Sequence, residues 1–176
     1  MHNEKSVTKI TNAFFELICE KDYSEITVTD IVKRAGVSRM AFYRNFHSKQ
    51  DIANGFIKGI IDETEITVNR IKSFRNLKEY FIVIFLALAK YNNEIKAFYK
   101  ANLGELMLSH CNVHLFKTPM KNKLFKFDKY QSKFLSGAFY NVFVEWVITD
   151  MKESAEKMAT ICSTLFSKSI VKEEQI

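Results

Sequence analysis

The stretch that decides the fold runs from Ile26 to Lys49 and reads ITVTDIVKRAGVSRMAFYRNFHSK. Thr27-Val28-Thr29-Asp30 opens a helix as a capping box. The Thr27 hydroxyl accepts the Asp30 amide, and the Asp30 carboxylate reaches back to the Thr27 amide. Asp at the fourth place is a modest variant of the usual Glu or Gln. Ile31, Val32 and Ala35 then face inward. Gly36 stands where the helix needs a left-handed final residue, which glycine adopts without a Cβ penalty. Val37 is expected to be buried in the turn, and Ser38 is a good N-cap for the next helix. Phe42 and Phe46 point back into a small core, leaving Arg39, Met40, Tyr43, Arg44 and His47 outside. Ser48-Lys49-Gln50-Asp51 is a second capping box, opening a further helix. Two short helices joined by a tight turn, and followed at once by a third, follow the pattern of a helix-turn-helix, whose second helix suits the major groove of DNA.

On the N-terminal side, Ile10, Ala13, Phe14, Leu17 and Ile18 share one face at helical spacing, predicting a helix over 6–20. Asp22 is expected to take the left-handed conformation in the turn that ends it. On the other side, Ile52, Phe56, Ile60 and Thr64 continue one face of a long helix over about 49–72. That places a helix-turn-helix domain over 1–50 and a helical domain over 51–176, joined without a Pro/Gly/Ser linker. Further helices are read over 76–91, 94–109, 120–127, 128–151 and 153–170, with a break at Pro119. Only 5 Gly and 1 Pro occur in 176 residues. With no regular turn spacing, so few breakers indicate an all-α fold.

Hydrophobic residues make up 47% of the chain and charged residues 26%, enough apolar material for a core within an ordinary soluble composition. The net charge of +6 is compatible with a polyanionic partner. It does not single out the motif, because residues 1–50 hold 8 Lys/Arg against 6 Asp/Glu. Cys19, Cys111 and Cys162 are widely spaced and odd in number, as expected of reduced thiols in a cytosol. MHNEKSVTK at the N-terminus carries no apolar leader. The longest apolar run, Phe81 to Ala89, is nine residues, well short of the roughly 20 that span a bilayer. A cytoplasmic location with no membrane partner is the expectation.

The chain resembles the TetR family of transcriptional regulators in its DNA-binding domain. The residues that carry the resemblance are Phe14, the run Thr27-Val28-x-Asp30-Ile31-x-x-x-Ala35-Gly36-Val37-Ser38, then Phe42-Tyr43-x-x-Phe46-x-Ser48-Lys49, and Ile52. The pattern is gap-free and covers about the first third of the chain; the rest is similar only in outline. The resemblance implies an N-terminal three-helix reading head and a C-terminal helical domain that binds a small effector. It also implies a homodimer formed through the last two long helices, with effector binding changing the spacing of the two heads.

Three kinds of DNA contact are expected. Helix N-termini attract phosphates, and Thr27, Thr29 and Ser38 can add hydroxyl donors there. Thr29 can equally be explained by capping and β-branched packing. Lys49 can neutralise a phosphate, and Tyr43 can place its hydroxyl on one. Base readout falls to Arg39, whose guanidinium fits the O6/N7 edge of guanine, with Met40 and Ala41 near a thymine methyl. Arg44 and His47 can serve backbone or base, or be simple solvated surface. By resemblance, Arg39, Met40, Ala41, Tyr43, Arg44 and Lys49 occupy contacting positions.

Phe81, Phe85, Leu88, Phe98, Tyr99, Leu103, Met107, Phe139, Tyr140 and Phe143 are candidate linings of an effector cavity, although aromatic stripes at this spacing are more often plain core. An apolar or aromatic small molecule is the default effector. Phe134, Trp146, Met158, Ile161 and Leu165 are candidates for the dimer interface. His110-Cys111-x-x-His114 places soft ligands together, but a surface or capping role is preferred and no metal is expected. The lysine run from Lys117 to Lys133 is read as a solvated connection. No nucleophile elbow, phosphate loop or paired carboxylates occur in a recognisable setting, so neither an enzyme nor a cofactor is expected. The function expected is a ligand-responsive repressor that binds a near-palindromic duplex operator as a dimer. The alternative is a TetR-like adaptor or co-activator working through a protein partner.

Overall fold

Three helices of the N-terminal region begin where a short polar side chain, that of Thr27, Ser38 or Ser48, holds a free amide of the first turn. In the computed structural model, which describes residues 2–71, 76–117 and 127–169, α1 is His2–Glu20. A single 3-10 turn, Tyr23–Glu25, follows. Then come α2, Val28–Ala35, α3, Arg39–Tyr43, and α4, Lys49–Asn69. Further along are α5, Leu77–Ala89, α6, Asn92–Lys100, and α7, Gly104–His114. The last two are α8, Lys129–Ile148, and α9, Ala155–Ser169. The described residues contain helices and no strand, as an all-α reading requires. Among them no helix is long and apolar enough to cross a membrane.

The chain divides into two compact units. One comprises Met1–Ile60 with Asn93–Met107, the other Ile61–Asn92 with Leu108–Ile176. In the first unit, Ile10, Phe14, Leu17 and Ile18 of α1 meet Ile31 and Val32 of α2, Phe42 of α3, and Ile52 and Ala53 of α4, all of them buried. A second aromatic cluster joins α1, α4 and α6. Phe56 stacks on Phe98 at 5.6 Å, and Phe15 lies 4.3 Å from Phe56.

The second unit is built on α5, which is apolar nearly all round because it is covered nearly all round. Phe81 stacks on Phe139 of α8 at 5.4 Å and meets Phe166 of α9 edge-on at 5.0 Å. Ala155, Ala159 and Cys162 are the buried small residues of α9, and α9 packs along α5. The turn after α8 is fixed by Asp150 and Met151, both left-handed (φ 64° and 50°). The Met151 amide returns to the Trp146 carbonyl at 2.9 Å, and the Trp146 indole donates to the Glu153 carbonyl.

Three details depart from the sequence reading. Asp22 is extended, with φ −58° and ψ 139°; the 3-10 turn that follows reverses the chain, so no left-handed residue is needed. The helix expected over 94–109 is two helices. Asn102 turns left-handed (φ 57°), and the Leu103 amide closes on the Phe98 carbonyl, a helix-ending geometry that Asn tolerates. Val37 and Phe46 are half-buried rather than fully buried, because a five-residue α3 is too short to cover them. The helix expected over 120–127 and the break at Pro119 fall almost wholly outside the described residues.

Candidate nucleic-acid interface

The capping box that opens α2 is formed in both directions. The Thr27 hydroxyl accepts from the Asp30 amide at 3.2 Å, and the Thr27 amide donates to the Asp30 carboxylate at 2.8 Å. Lys21 adds an ion pair to the same carboxylate at 2.9 Å. The Thr27 amide first, and Lys21 after it, hold the Asp30 carboxyl well below the usual range. Pairing also neutralises an anion that would otherwise repel a phosphate at this helix start. Gly36 ends α2 in the left-handed region at φ 62°, and the Ser38 hydroxyl accepts from the Ala41 amide to begin α3. The second box is formed as well: the Asp51 amide donates to the Ser48 hydroxyl, and the Ser48 amide to the Asp51 carboxylate.

This frame leaves one face of α3 in water. Phe42 is completely buried and anchors the helix, while Met40 is 75% and Tyr43 50% exposed. The Tyr43 ring leans edge-on against Phe42 at 5.3 Å, so its direction is set by the core. Arg39, Arg44 and His47 are exposed, and Ala41 is half-buried. The Arg39 guanidinium donates through Nη2 to the Thr29 hydroxyl at 2.5 Å, a tie between the starts of α3 and α2.

Lys49 is placed differently. Its ammonium turns onto the end of the 3-10 turn and donates to the carbonyls of Tyr23 at 2.5 Å, Ile26 at 2.8 Å and Ser24 at 3.3 Å. It also sits 4.3 Å from the centre of the Tyr23 ring. Loss of water around it, and then the charge of Lys21, lowers its pKa. Arg34 too is engaged internally, with Glu20 at 2.6 Å and Glu16 at 3.1 Å, joining α2 to α1.

A charge count over the first 50 residues conceals a local asymmetry. Positions 31–50 hold Lys33, Arg34, Arg39, Arg44 and Lys49 and no Asp or Glu. The acidic residues before this window include the pairing partners Glu16, Glu20 and Asp30. Counting by window would have pointed to α3. Lys21, which neutralises the α2 cap, carries no signal of its own in the sequence.

The other candidates fall out as follows. In the second unit Phe81, Phe85, Phe139 and Phe143 are buried and pack directly on one another, Phe139 on Phe143 at 5.9 Å with nearly parallel rings. Leu88 and Tyr140 there are half-buried. Phe98 and Leu103 belong to the buried part of the first unit, with Met107 half-buried and Tyr99 exposed. Trp146 and Met158 are buried within the second unit, whereas Phe134, Ile161 and Leu165 are exposed on it. Asn141, Val142, Glu145, Thr149 and Ile161, with the edges of Trp146 and Met158, line an open groove on α8 and α9. His110 and His114 stack at 6.2 Å, and His114 pairs with Glu65 at 2.9 Å. Among the described residues no three His, Cys, Asp or Glu are grouped to hold a metal ion.

Residues 10–55 match the family model described as bacterial regulatory proteins, tetR family. A curated relative, the HTH-type transcriptional regulator AlkX of Mycobacterium tuberculosis, is 34% identical over 53 residues. That match covers 30% of this chain and 25% of the relative, so it speaks for the N-terminal segment. Two solved structures are similar in fold along almost the whole chain. A putative TetR-family transcriptional regulator from Syntrophomonas wolfei superposes with a TM-score of 0.69 at 14% identity, covering 99% of each chain. A TetR transcriptional regulator from Streptococcus agalactiae has a TM-score of 0.66 at 19% identity, covering 94% of this chain and 95% of its own.

Proposed function

From the match of residues 10–55 to the tetR family model we propose that the chain is a TetR-family transcriptional regulator, a ligand-responsive repressor that binds a near-palindromic duplex operator as a dimer. The observation that carries the reading is the exposed face of α3, where Arg39, Met40 and Tyr43 stand in water on a helix anchored by the fully buried Phe42. A guanidinium at that place suits the O6/N7 edge of guanine, and Met40 suits a thymine methyl. Tyr43, Arg44, His47 and Ser38 supply phosphate contacts around it, whereas the Thr27 hydroxyl donates to the Asp30 carboxylate. Dimerisation is assigned to the outer face of α8 and α9, where Phe134, Ile161 and Leu165 leave apolar surface exposed beside an open groove. The aromatic interior of the second unit supports an apolar or aromatic effector. Its rings already stack on one another, so entry and repacking are one event, through which ligand shifts the protein toward a form unfit for the operator.

Selection of binding sites from a random duplex pool by the purified full chain, followed by footprinting, tests this. The expected product is one near-palindromic sequence with half-sites about one helical turn, or a multiple of it, apart. Arg39→Ala should then cost about 1–3 kcal/mol on that sequence and relax the choice at one base pair per half-site. Failure to enrich any sequence would remove the reading.

A further inference from the structure

An arginine already held in place gives up less freedom when it reads a base. Its side chain has many rotamers, and docking a planar fork onto one guanine edge freezes all of them. In this protein the fork is tied from outside its own helix. Nη2 of Arg39, the first residue of α3, donates to Oγ1 of Thr29 on the first turn of α2 at 2.5 Å. The acceptor is itself fixed. A β-branched side chain in a helix keeps few χ1 states, and the backbone under Thr29 is held by the capping box of Thr27 and Asp30 on either side. Gly36, left-handed at φ 62°, sets the reversal that brings α3 back beside α2.

The hydrogen-bond inventory allows the tie to coexist with reading. A guanidinium has five N–H donors, and the bond to Thr29 uses one. Nη1 and the second hydrogen of Nη2 are left for a two-pronged contact. The hydroxyl accepts from Arg39 and keeps its own hydrogen for a phosphate.

We propose that Thr29 is a specificity-positioning residue, whose hydroxyl pre-orients the Arg39 guanidinium for the base pair that Arg39 reads. This rests on the regulator reading above, with Arg39 as the reader, and adds to it a residue that governs sequence choice without reading a base itself. A capping or phosphate-only role for Thr29 would act on all sequences alike.

The test uses the full chain, the operator selected by the wild type, and a set of single-base-pair variants of it. Thr29→Val keeps the shape and removes the acceptor; Thr29→Ser restores it. We expect Thr29→Val to lower discrimination roughly 3- to 10-fold at the one pair per half-site whose readout is lost in Arg39→Ala, a fraction of what a bidentate contact supplies. Discrimination elsewhere should stay within about 2-fold, and Thr29→Ser should recover most of the loss. In an Arg39→Ala background, Thr29→Val should change discrimination no further. A uniform loss across all variants would overturn the proposal, as would an unchanged profile or an equal loss in the Arg39→Ala background. If the wild type selects an operator but Thr29→Val reads it unaltered, only the positioning role fails. If the wild type selects nothing, the regulator reading fails and takes this role with it.

Discussion

Lys49 shows how much one side chain's direction matters. A lysine at the start of a helix, in a motif of this kind, reads as a phosphate contact. In the folded protein its ammonium faces the carbonyls of Tyr23, Ser24 and Ile26 and the ring of Tyr23. Those three carbonyls lie at the turn between α1 and α2; the Tyr23 carbonyl also accepts from the Ile26 amide. The ammonium supplies the donors and joins α4 to the segment that feeds α2. Replacing Lys49 by Met should therefore weaken binding to any duplex and lower the melting temperature. The slope of log affinity against log salt should stay at its wild-type value. A lost phosphate contact would flatten that slope by about 0.9, and such a flattening would return Lys49 to the DNA-contacting set.

Among the elements, α2 depends most on its first turn. It is an eight-residue helix, below the length at which a helix is stable alone in water. Its capping box and the Lys21 pair offset that. Thr27→Ala should cost about 1 kcal/mol, the usual worth of an N-cap hydroxyl. The charge of the box adds a pH dependence. The folded Asp30 carboxyl lies well below its ordinary range, chiefly through the Thr27 amide and then Lys21, while an unfolded Asp titrates near pH ~4. The contribution of the charged box is therefore present above about pH 4 and declines as pH falls toward the folded value. Asp30→Asn should melt below the wild type at pH 7, and the gap between the two should begin to narrow as pH falls below about 4. A gap between them that is constant from pH 3 to 7, followed by circular dichroism, would show that the charge is irrelevant to the cap.

For the molecule as a whole, the exposed apolar side chains on α8 and α9 carry the question of assembly. Ile161 and Leu165 stand one helical turn apart and exposed, at the edge of the apolar stripe whose Met158, Cys162 and Phe166 are buried in their own unit. If a second copy covers them, Ile161→Asp should raise the dimer dissociation constant ~30-fold or more by burying an unpaired charge. Sedimentation equilibrium at low micromolar protein measures this. Because Ile161 is exposed within the chain, a folding defect is not expected, and an unchanged assembly would place the contact elsewhere. A monomer should also lose the palindromic footprint and keep only weak half-site binding.

By itself the sequence determined most of the helices and the caps that frame α2, α3 and α4. Those depend on contacts between residues three or four apart: the Thr27–Asp30 and Ser48–Asp51 boxes, the left-handed Gly36, and the repeat of Ile10, Phe14 and Leu17. Such spacing is written directly into a chain. What only the tertiary structure decided were the long-range directions of polar and aromatic groups. Lys49 went inward onto carbonyls more than twenty residues away, Lys21 went to Asp30, and Arg34 to two glutamates of α1. Arg39 found Thr29 across the turn. Trp146 and Met158 went into the unit's own core, while Ile161, on the same apolar stripe of α9 as Met158, was left in water. A stripe wider than one neighbouring helix looks the same in sequence whichever part is covered. Similarly, a long cationic side chain reaches several acceptors of equal local merit, and only the packed fold selects among them.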